Sequence, residues 1–196
     1  MMGKKSAEMC DYLNEVAKML QAVPRGRLGE VVDCLWQAYG NGAQIFACGN
    51  GGSSATASHF VEDLAKGIDL PENRPRFRAI SLVDSVPLLT AYANDLGYEH
   101  VFAEPLRNLV QAGDVLLALS GSGRSENVLR AMRLARERGA KVVAFGGRDG
   151  GEMPGLSDVC LVVPSESMQQ IEDAHLAILH AVYIELKARA EERPCG

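Results

Sequence analysis

Residues 45–63 read IFACGNGGSSATASHFVED, and they join an apolar run to helix-like sequence through a turn of glycines and serines. The run at 45–48 is typical of a buried strand, and the turn at 49–54 follows it directly. A helix that begins after such a turn directs unpaired backbone N–H groups and the positive end of its dipole toward one small volume. The stretch therefore predicts an anion site, suited to a phosphate, at a strand-to-helix turn.

Two polar side chains follow on the predicted helix. His59 and Asp63 are four residues apart, so they share one helix face more than a turn beyond the anion site. They are within reach of the remainder of a bound phosphorylated molecule. A single histidine is weak support for catalysis, and a structural role for His59 is about equally common.

Short apolar runs alternate with helical patterns along the rest of the chain. Strands are predicted at 44–48, 77–83, 115–120, 141–146 and 159–163, and helices at 53–66, 85–93, 98–111 and 125–138. The run at 115–119 is continuously apolar, which indicates strands buried on both faces by helices. The pattern predicts an α/β three-layer sandwich with a five-stranded parallel sheet.

Helical patterns also precede and follow the sheet. Two N-terminal helices are predicted, one with apolar residues at helical spacing over 9–20 and ending at Pro24, the other over 31–39 and ending at Gly40. The long last helix, about 168–190, is apolar over much of its circumference. A helix with one solvated face needs less apolar surface, so part of it is expected to pack against another subunit.

Composition limits the class of protein. The chain has 196 residues, of which 47% are hydrophobic and 23% charged, which fits one compact domain. Its formal net charge of −5 argues against a nucleic-acid partner, because that affinity comes mainly from clustered Lys and Arg.

The cysteines and the apolar runs indicate the cellular compartment of the protein. Five cysteines are scattered without a Cys-x-x-Cys pair, which is typical of a reducing compartment, so a cytoplasmic protein is expected. The first residues lack the apolar core of a signal peptide, and no apolar run is long enough to cross a bilayer. No membrane partner is expected.

A second turn repeats the logic of the first. After the strand ending at Leu119 come Ser120-Gly121-Ser122-Gly123-Arg124-Ser125 and then a helical pattern. Serine hydroxyls can donate to phosphate oxygens, and in an open parallel sheet both turns would border one crevice. Each turn alone is equally compatible with tight turns and helix caps. Together they favour a phosphate site.

Nucleotide cofactors are not expected. Residues 49–51 begin like a Gly-x-Gly-x-x-Gly motif, but Ser54 occupies the third glycine position. Asp84 lies further along the chain than a ribose-binding acid would, and neither turn contains a Walker lysine.

The last helix carries a second polar group. Glu172 and His180 are eight residues apart, about 12 Å along a helix and roughly 80° around it, so both can border one site. His180 alone would be equally compatible with a structural role. His175 shares a stripe with Ile171 and Ile178, which favours a hydrogen-bonded histidine in the core or an interface.

Seven motifs occur in the order and spacing of one enzyme family. They are Gly49-Asn50-Gly51-Gly52-Ser53, His59-Phe60, Ala93-Asn94-Asp95, Gly113-Asp114-Val115-Leu116-Leu117, Ser120-x-Ser122-Gly123-x-Ser125-x-Asn127-Val128, Asp149-Gly150-Gly151, and His175 followed after four residues by His180. Over nearly its full length the chain resembles the phosphoheptose isomerases, which are sugar isomerase (SIS) domain proteins.

The resemblance implies a flavodoxin-like sheet in a single SIS domain over residues 1–196. It also implies a homotetramer whose core includes the N-terminal helices, residues 1–40, and whose active sites lie at subunit interfaces. The implied reaction is an aldose–ketose isomerisation of sedoheptulose 7-phosphate to D-glycero-D-manno-heptose 7-phosphate, by proton transfer through an enediol.

The resemblance also implies site residues. The catalytic pair would be Asp63 and His180. The substrate-binding residues would be Asn50, Gly51, Gly52, Ser53, Asn94, Asp95, Ser120, Gly121, Ser122, Ser125 and Glu172. Some members bind zinc, and the corresponding ligands would be His59, Asp63, Glu172 and His180.

Several positions differ from the family's usual residues. Asp63 replaces Glu, Glu172 replaces Gln, Gln169 replaces Asp, Gly121 and Arg124 replace Thr and Asn, and Lys66-Gly67 stand where an arginine is expected. The carboxylates of Asp63 and Glu172, brought together, would repel each other unless one is protonated or a cation lies between them. We therefore predict a bound divalent metal, with zinc as the leading candidate.

Two non-catalytic functions within the same superfamily remain alternatives. One is a regulator that binds a replication initiator, and the other is a sugar-phosphate sensor. Asp63 and His180 favour an enzyme over both, because neither alternative needs an acid/base pair.

Overall fold

A computed structural model describes residues 2–68 and 70–192, with side chains from residue 10 onward. The helices are α1 (Met2–Ala22), α2 (Arg25–Gly40), α3 (Gly52–Glu62), α4 (Val86–Asp95), α5 (Ala103–Arg107), α6 (Glu126–Glu137), α7 (Met153–Leu156) and α8 (Met168–Glu192). The strands are β1 (Gln44–Cys48), β2 (Arg78–Ser81), β3 (Val115–Ser120), β4 (Lys141–Gly147) and β5 (Val159–Val163). A π-helical turn (Asp63–Gly67) extends α3, and a 3₁₀ turn (Tyr98–His100) precedes α5.

The five strands form one parallel sheet in the order β2-β1-β3-β4-β5. The chain leaves β1 toward β2 and later returns to place β3 on the other side of β1. In the register of β1 and β3, Ile45 lies opposite Val115 and Cys48 opposite Ala118. The two turns predicted to bind phosphate therefore leave neighbouring strands at the point where the strand order reverses, and ligands bind at such points in open parallel sheets.

Alternate residues of each strand enter two separate cores, which confirms the three-layer prediction. Ile45 and Leu117 pack with α2, α3 and α8 on one face. Phe46 and Leu116 pack with α5, α6 and α7 on the other. All six residues of β3 are buried, as its unbroken apolar sequence predicts for a central strand.

The predicted helix at 98–111 is wrong. Pro105 has no backbone N–H to bond the preceding turn, so α5 begins only at Ala103 and the 3₁₀ turn stands apart from it. At the other end, the carboxylate of Asp114 accepts hydrogen bonds from the backbone N–H groups of Gln111 and Gln44, both at 2.8 Å. Asp114 thereby stabilises a turn into β3 in place of a further helical turn.

Two other bounds differ from the prediction. The edge strand β2 covers Arg78–Ser81 rather than 77–83, because the Ser81 hydroxyl accepts a hydrogen bond from the Val83 N–H and turns the chain away. The helix predicted at 53–66 ends its α-helical part at Glu62 and continues as the π-helical turn.

α8 is the longest described helix, with 25 residues, and packs against α1, α2 and α3. Tyr12 of α1 donates a hydrogen bond to Asp173, and this bond raises the pKa of Tyr12 to about 12. Ile184 is 64% exposed, so one part of the helix presents apolar surface to solvent in the isolated chain.

Cys10, Cys34, Cys48 and Cys160 are free thiols, and Cys195 lies outside the described residues, as does the side chain of Met9. None of the helices in the described part of the chain has both the length and the apolar character needed to cross a bilayer.

Candidate active site

A cavity of about 210 Å³ lies between the turns that follow β1 and β3. Its lining consists of Asn50, Gly51, Ser53, Leu119, Ser120, Gly121, Ser122, Ser125, Met168 and Glu172. Eight of the predicted substrate-binding residues are thus brought together here, and we call this cavity the serine pocket. Leu119 and Met168 were missed by the sequence reasoning, because apolar side chains beside a polar site carry no distinctive pattern.

Three serines of the second turn are linked through their hydroxyls. Ser120 Oγ donates to Ser125 Oγ at 3.1 Å and lies 3.4 Å from Ser122 Oγ. Ser120 is only 4% exposed, and Ser53 on the first turn of α3 is 5% exposed. Hydroxyls that rotate between one another and an anion can donate to phosphate oxygens without a cation.

The second turn is supported by the loop after β4. Arg124 forms a bidentate pair with Asp149, at 2.9 and 2.7 Å, and Asp149 accepts a further hydrogen bond from the Gly151 N–H at 3.0 Å. These bonds hold the pKa of the Asp149 carboxyl well below its usual value. The motif Asp149-Gly150-Gly151 was recognised in the sequence without a role, and its role here is to hold the serine turn in place.

The first turn is fixed by an amide pair that the sequence reasoning also missed. Asn50 Nδ2 donates to Asn127 Oδ1 at 2.9 Å, and Asn127 Nδ2 donates to Asn50 Oδ1 at 2.8 Å. The Tyr98 hydroxyl donates to Asn50 Oδ1 at 2.9 Å. Asn127 belongs to the motif of the second turn, so the two turns are directly bonded to each other.

Asn94 and Asp95 lie elsewhere. Both are exposed at the end of α4, where Asn94 Nδ2 donates to Asp95 Oδ1 at 2.8 Å. Neither lines the serine pocket in the isolated chain. Their predicted contact with substrate therefore has no counterpart in this cavity.

α3 and α8 run side by side in the same direction along the site. At one end, the carboxylate of Glu172 lies over Gly52, so close that a Cβ on Gly52 would be 2.2 Å from Glu172 Oε2. At the other end, His59 Nε2 lies 3.3 Å from His180 Nε2. Gly52 and His59 are seven residues apart, which is roughly 10 Å along a helix and close to two full turns.

Asp63 completes the group at the second end, which we call the histidine–carboxylate cluster. Its Oδ2 lies 3.9 Å from His59 Nε2 and 3.9 Å from His180 Nε2. This oxygen is buried without a hydrogen-bond partner among the described residues. Burial raises the pKa of Asp63 above its usual value, and the facing imidazoles His59 and His180 partly offset that rise.

The cluster has the composition and spacing of a metal site. The three ligand atoms lie within 4.8 Å of one another, and an unpartnered buried carboxylate oxygen is what a cation would satisfy. Zinc binds imidazole nitrogen and carboxylate oxygen at about 2.0–2.2 Å, so atoms around one ion lie roughly 3–4 Å apart. The observed separations of 3.3 and 3.9 Å therefore fit a three-ligand site with an open position.

Glu172 lies outside this cluster in the described chain, and its role as a fourth metal ligand stays a prediction. The reason is its place on α8, two turns before His180, where its carboxylate faces the first turn of α3. It lines the serine pocket instead.

His175 is the core histidine that its apolar stripe predicts. It is 1% exposed, its Nε2 bonds the carbonyl oxygen of Gly146 at 3.0 Å, and its ring packs edge-on against Phe145. Burial lowers the pKa of His175 to about 4, so the ring is neutral near pH 7.

Taken together, the two ends of the α3–α8 contact supply different chemistry. The serine pocket offers hydroxyls and the first turn of α3, which suit a phosphate group. The histidine–carboxylate cluster offers a partly buried carboxylate of raised pKa and two imidazoles, which suit proton transfer.

The sequence and the fold were compared with those of known proteins. The model of the SIS domain family matches residues 11–147. The phosphoheptose isomerase of Akkermansia muciniphila is 43% identical over 141 residues, covering 72% of this chain and 74% of that protein. That of Helicobacter pylori is 42% identical over 153 residues, covering 78% and 79%. The structure of the phosphoheptose isomerase from Neisseria gonorrhoeae superimposes with a TM-score of 0.86 at 31% identity, covering 95% of this chain and 98% of that one.

Proposed function

The chain belongs to the phosphoheptose isomerases of the SIS domain family, and on that premise we propose that it converts sedoheptulose 7-phosphate to D-glycero-D-manno-heptose 7-phosphate. The observation that carries the proposal is the pairing of a hydroxyl-lined pocket with an acid/base cluster, built around the buried Oδ2 of Asp63, along one helix–helix contact. The separation of the two, roughly 10 Å along α3, is comparable with the length of an extended seven-carbon sugar phosphate.

In the proposed complex, the phosphate lies in the serine pocket. Ser53, Ser120, Ser122 and Ser125 donate to its oxygens, and backbone N–H groups at the start of α3 add partial positive charge. Asn50, Gly51, Gly52, Gly121 and Glu172 border the carbons nearest the phosphate, C7 and C6. We retain Asn94 and Asp95 as substrate contacts only for an assembled oligomer, because both are exposed away from the pocket.

The carbonyl end of the sugar lies at the histidine–carboxylate cluster. Asp63 accepts the proton from C1 of the ketose, an enediol forms, the acid proton on Asp63 exchanges with solvent, and Asp63 then protonates C2 to give the aldose. His180 moves the hydroxyl proton between the two oxygens. Burial of Asp63 favours this role, because a carboxylate of raised pKa is a stronger base.

We propose that His59, Asp63 and His180 hold a divalent metal, with zinc as the leading candidate. Glu172 could serve as a fourth ligand only through a change in its position or from another subunit. Bound there, a zinc ion would act as a Lewis acid toward the oxygens of the sugar. The donor set supports zinc, since two imidazoles and one carboxylate are ligands it commonly takes.

We also propose that the chain forms a cytoplasmic homotetramer. Each subunit would be one SIS domain, residues 1–196, and the helices of residues 1–40 would lie in the core of the tetramer. The exposed apolar residues of α4 and α8, among them Val86 at 66% and Ile184 at 64% exposure, support burial by further copies. No nucleotide, nucleic acid or membrane takes part in the proposed reaction.

The test is incubation with sedoheptulose 7-phosphate in deuterated water, followed by NMR. Transfer through an enediol predicts an aldose product carrying solvent deuterium at C2. Asp63→Asn and His180→Ala are expected to lower kcat by at least 100-fold, while His100→Gln, at a surface histidine outside the site, is expected to leave it unchanged.

The alternatives predict a different outcome. A sugar-phosphate sensor or a regulator of a replication initiator would bind the sugar phosphate without turnover. The relatives do not favour either one. Failure of the parent protein to turn over any member of a panel of ketose phosphates would overturn the proposed function.

A further inference from the structure

The serine pocket has an unusual charge balance for a phosphate site. Its described lining contains four serines and no lysine or arginine, and its one charged side chain is the carboxylate of Glu172. Phosphate binding in such a pocket rests on hydroxyls and backbone N–H groups alone. A carboxylate among them opposes the ligand's charge, and the nearby Arg124 guanidinium is already paired with Asp149.

The position of Glu172 makes that opposition direct. All three atoms of its carboxyl group lie within 2.5 Å of the point where a Gly52 Cβ would stand, so the group lies over the first turn of α3. That turn is where an anion is most stabilised by the helix dipole. Among the described side chains none donates a hydrogen bond to Glu172 and no cation pairs with it.

A carboxylate in this place discriminates between two kinds of ligand. It repels a bare phosphate, which brings only negative charge. It can accept hydrogen bonds from the hydroxyls of a polyol attached to that phosphate, because an ionised carboxylate is an acceptor at both oxygens. The net effect on a phosphorylated polyol is therefore smaller than on inorganic phosphate.

We propose that Glu172 is a specificity-determining residue that weakens the serine pocket for inorganic phosphate relative to a phosphorylated polyol. The inference rests on the proposed function for the identity of the polyol. Selection against inorganic phosphate keeps the site available to a sugar phosphate, since both carry the same group for the serines to bind.

The test is isothermal titration of the parent protein and Glu172→Gln with inorganic phosphate and with a heptitol 7-phosphate. The heptitol has no carbonyl, so it cannot be isomerised. Glu172→Gln is expected to bind inorganic phosphate about tenfold more tightly, which corresponds to about 1.4 kcal/mol. Its affinity for the heptitol phosphate is expected to change by less than threefold, so the preference for the polyol falls.

Four controls separate local charge from other effects. Glu166→Gln removes the same charge at a side chain that is 88% exposed and is expected to change neither affinity by more than twofold. Glu172→Ala removes the charge without adding an amide donor, and it is expected to tighten phosphate binding in the same direction. Each protein is titrated as purified and again after chelator treatment, and circular dichroism checks that each variant is folded.

Unchanged or weaker phosphate binding in both folded Glu172 variants would overturn the inference. Equal tightening of the binding of both ligands would also overturn the inference, because selectivity would then be unaffected. A tightening of phosphate binding that disappears after metal removal would overturn it as well. These outcomes are independent of turnover. A protein that isomerises no sugar but shows the predicted change in selectivity would refute the proposed function and leave this inference standing.

Discussion

The Nε2 atoms of His59 and His180 lie 3.3 Å apart, although 121 residues separate them in the chain. At that distance two imidazoles either share one proton or face one cation. The buried oxygen of Asp63, 3.9 Å from each of them, favours the cation. The contact between α3 and α8 thus creates a group that neither helix contains alone.

We expect zinc to stabilise the parent protein. A free zinc concentration of 100 times Kd would add about 2.7 kcal/mol to the free energy of unfolding. For a chain of this size, that raises Tm by roughly 5–10 °C. Melting curves of protein purified without chelator, with and without added zinc, measure the shift. His59→Gln should lose it and His100→Gln should keep it, and a parent protein that contains no metal and shows no shift would contradict the prediction.

Removal of one pocket hydroxyl is expected to weaken substrate binding. Ser120→Ala loses a hydrogen bond to a charged group, which contributes about 1.5–3 kcal/mol. KM should therefore rise about 10- to 100-fold, with a much smaller effect on kcat, because the phosphate is remote from the reacting carbons. Steady-state kinetics measure both, and Ser157→Ala, whose hydroxyl donates to Met153 O in α7, serves as the control. A loss confined to kcat would argue against a phosphate role.

Glycine at position 123 is required by two features of the second turn. Its φ is +63°, and a Cβ there would lie 2.1 Å from the carbonyl oxygen of Gly150. Gly123→Ala is expected to lower the free energy of unfolding by about 1–3 kcal/mol or more and to weaken phosphate binding as well. Gly155→Ala, where no atom lies within 4 Å of the added Cβ, should be nearly neutral. Urea unfolding compares the two, and equal stability of both variants would contradict the prediction.

Stability should fall on acidification because of His175. Its pKa is about 4 in the folded chain, against the ordinary histidine pKa of about 6.5 in the unfolded chain, so below pH 6.5 the unfolded state binds a proton that the folded state does not. Between pH 6.5 and pH 5 this should remove about 2 kcal/mol from the free energy of unfolding, and the loss should continue to about pH 4. Urea unfolding at a series of pH values measures the slope. His175→Gln should flatten it, whereas His100→Gln should leave it intact; a His175→Gln slope equal to that of the parent would refute the assignment.

The sheet and the two phosphate-binding turns were predictable because they are encoded locally. An apolar run such as Val115–Ser120 has few alternatives to a buried strand, and glycines with serines after it set a turn. The helix at 98–111 was mispredicted because Pro105 and the capping carboxylate of Asp114 interrupt a periodic apolar pattern. The spacing of apolar residues carries no information about the backbone N–H that a proline lacks.

The long-range contacts of the site could not be predicted from local sequence patterns. The pair of Asn50 and Asn127, and the pair of Arg124 and Asp149, join residues far apart in the chain through side chains with many other uses. Sequence spacing could place Glu172 and His180 on one helix but not say which neighbour each would face. The fold separates them, with Glu172 at the serine pocket and His180 beside Asp63.

The parallel course of α3 and α8 has a consequence for how this site could adapt to sugars of other lengths. Positions on one helix face recur only every three or four residues, so moving the acid/base group along the helices changes its distance from the phosphate in steps of about 5 Å. One carbon of a sugar chain is much shorter than such a step. Adjustment by single carbons must therefore come from side-chain length, and at position 63 the choice between aspartate and a residue one methylene longer is the available fine control.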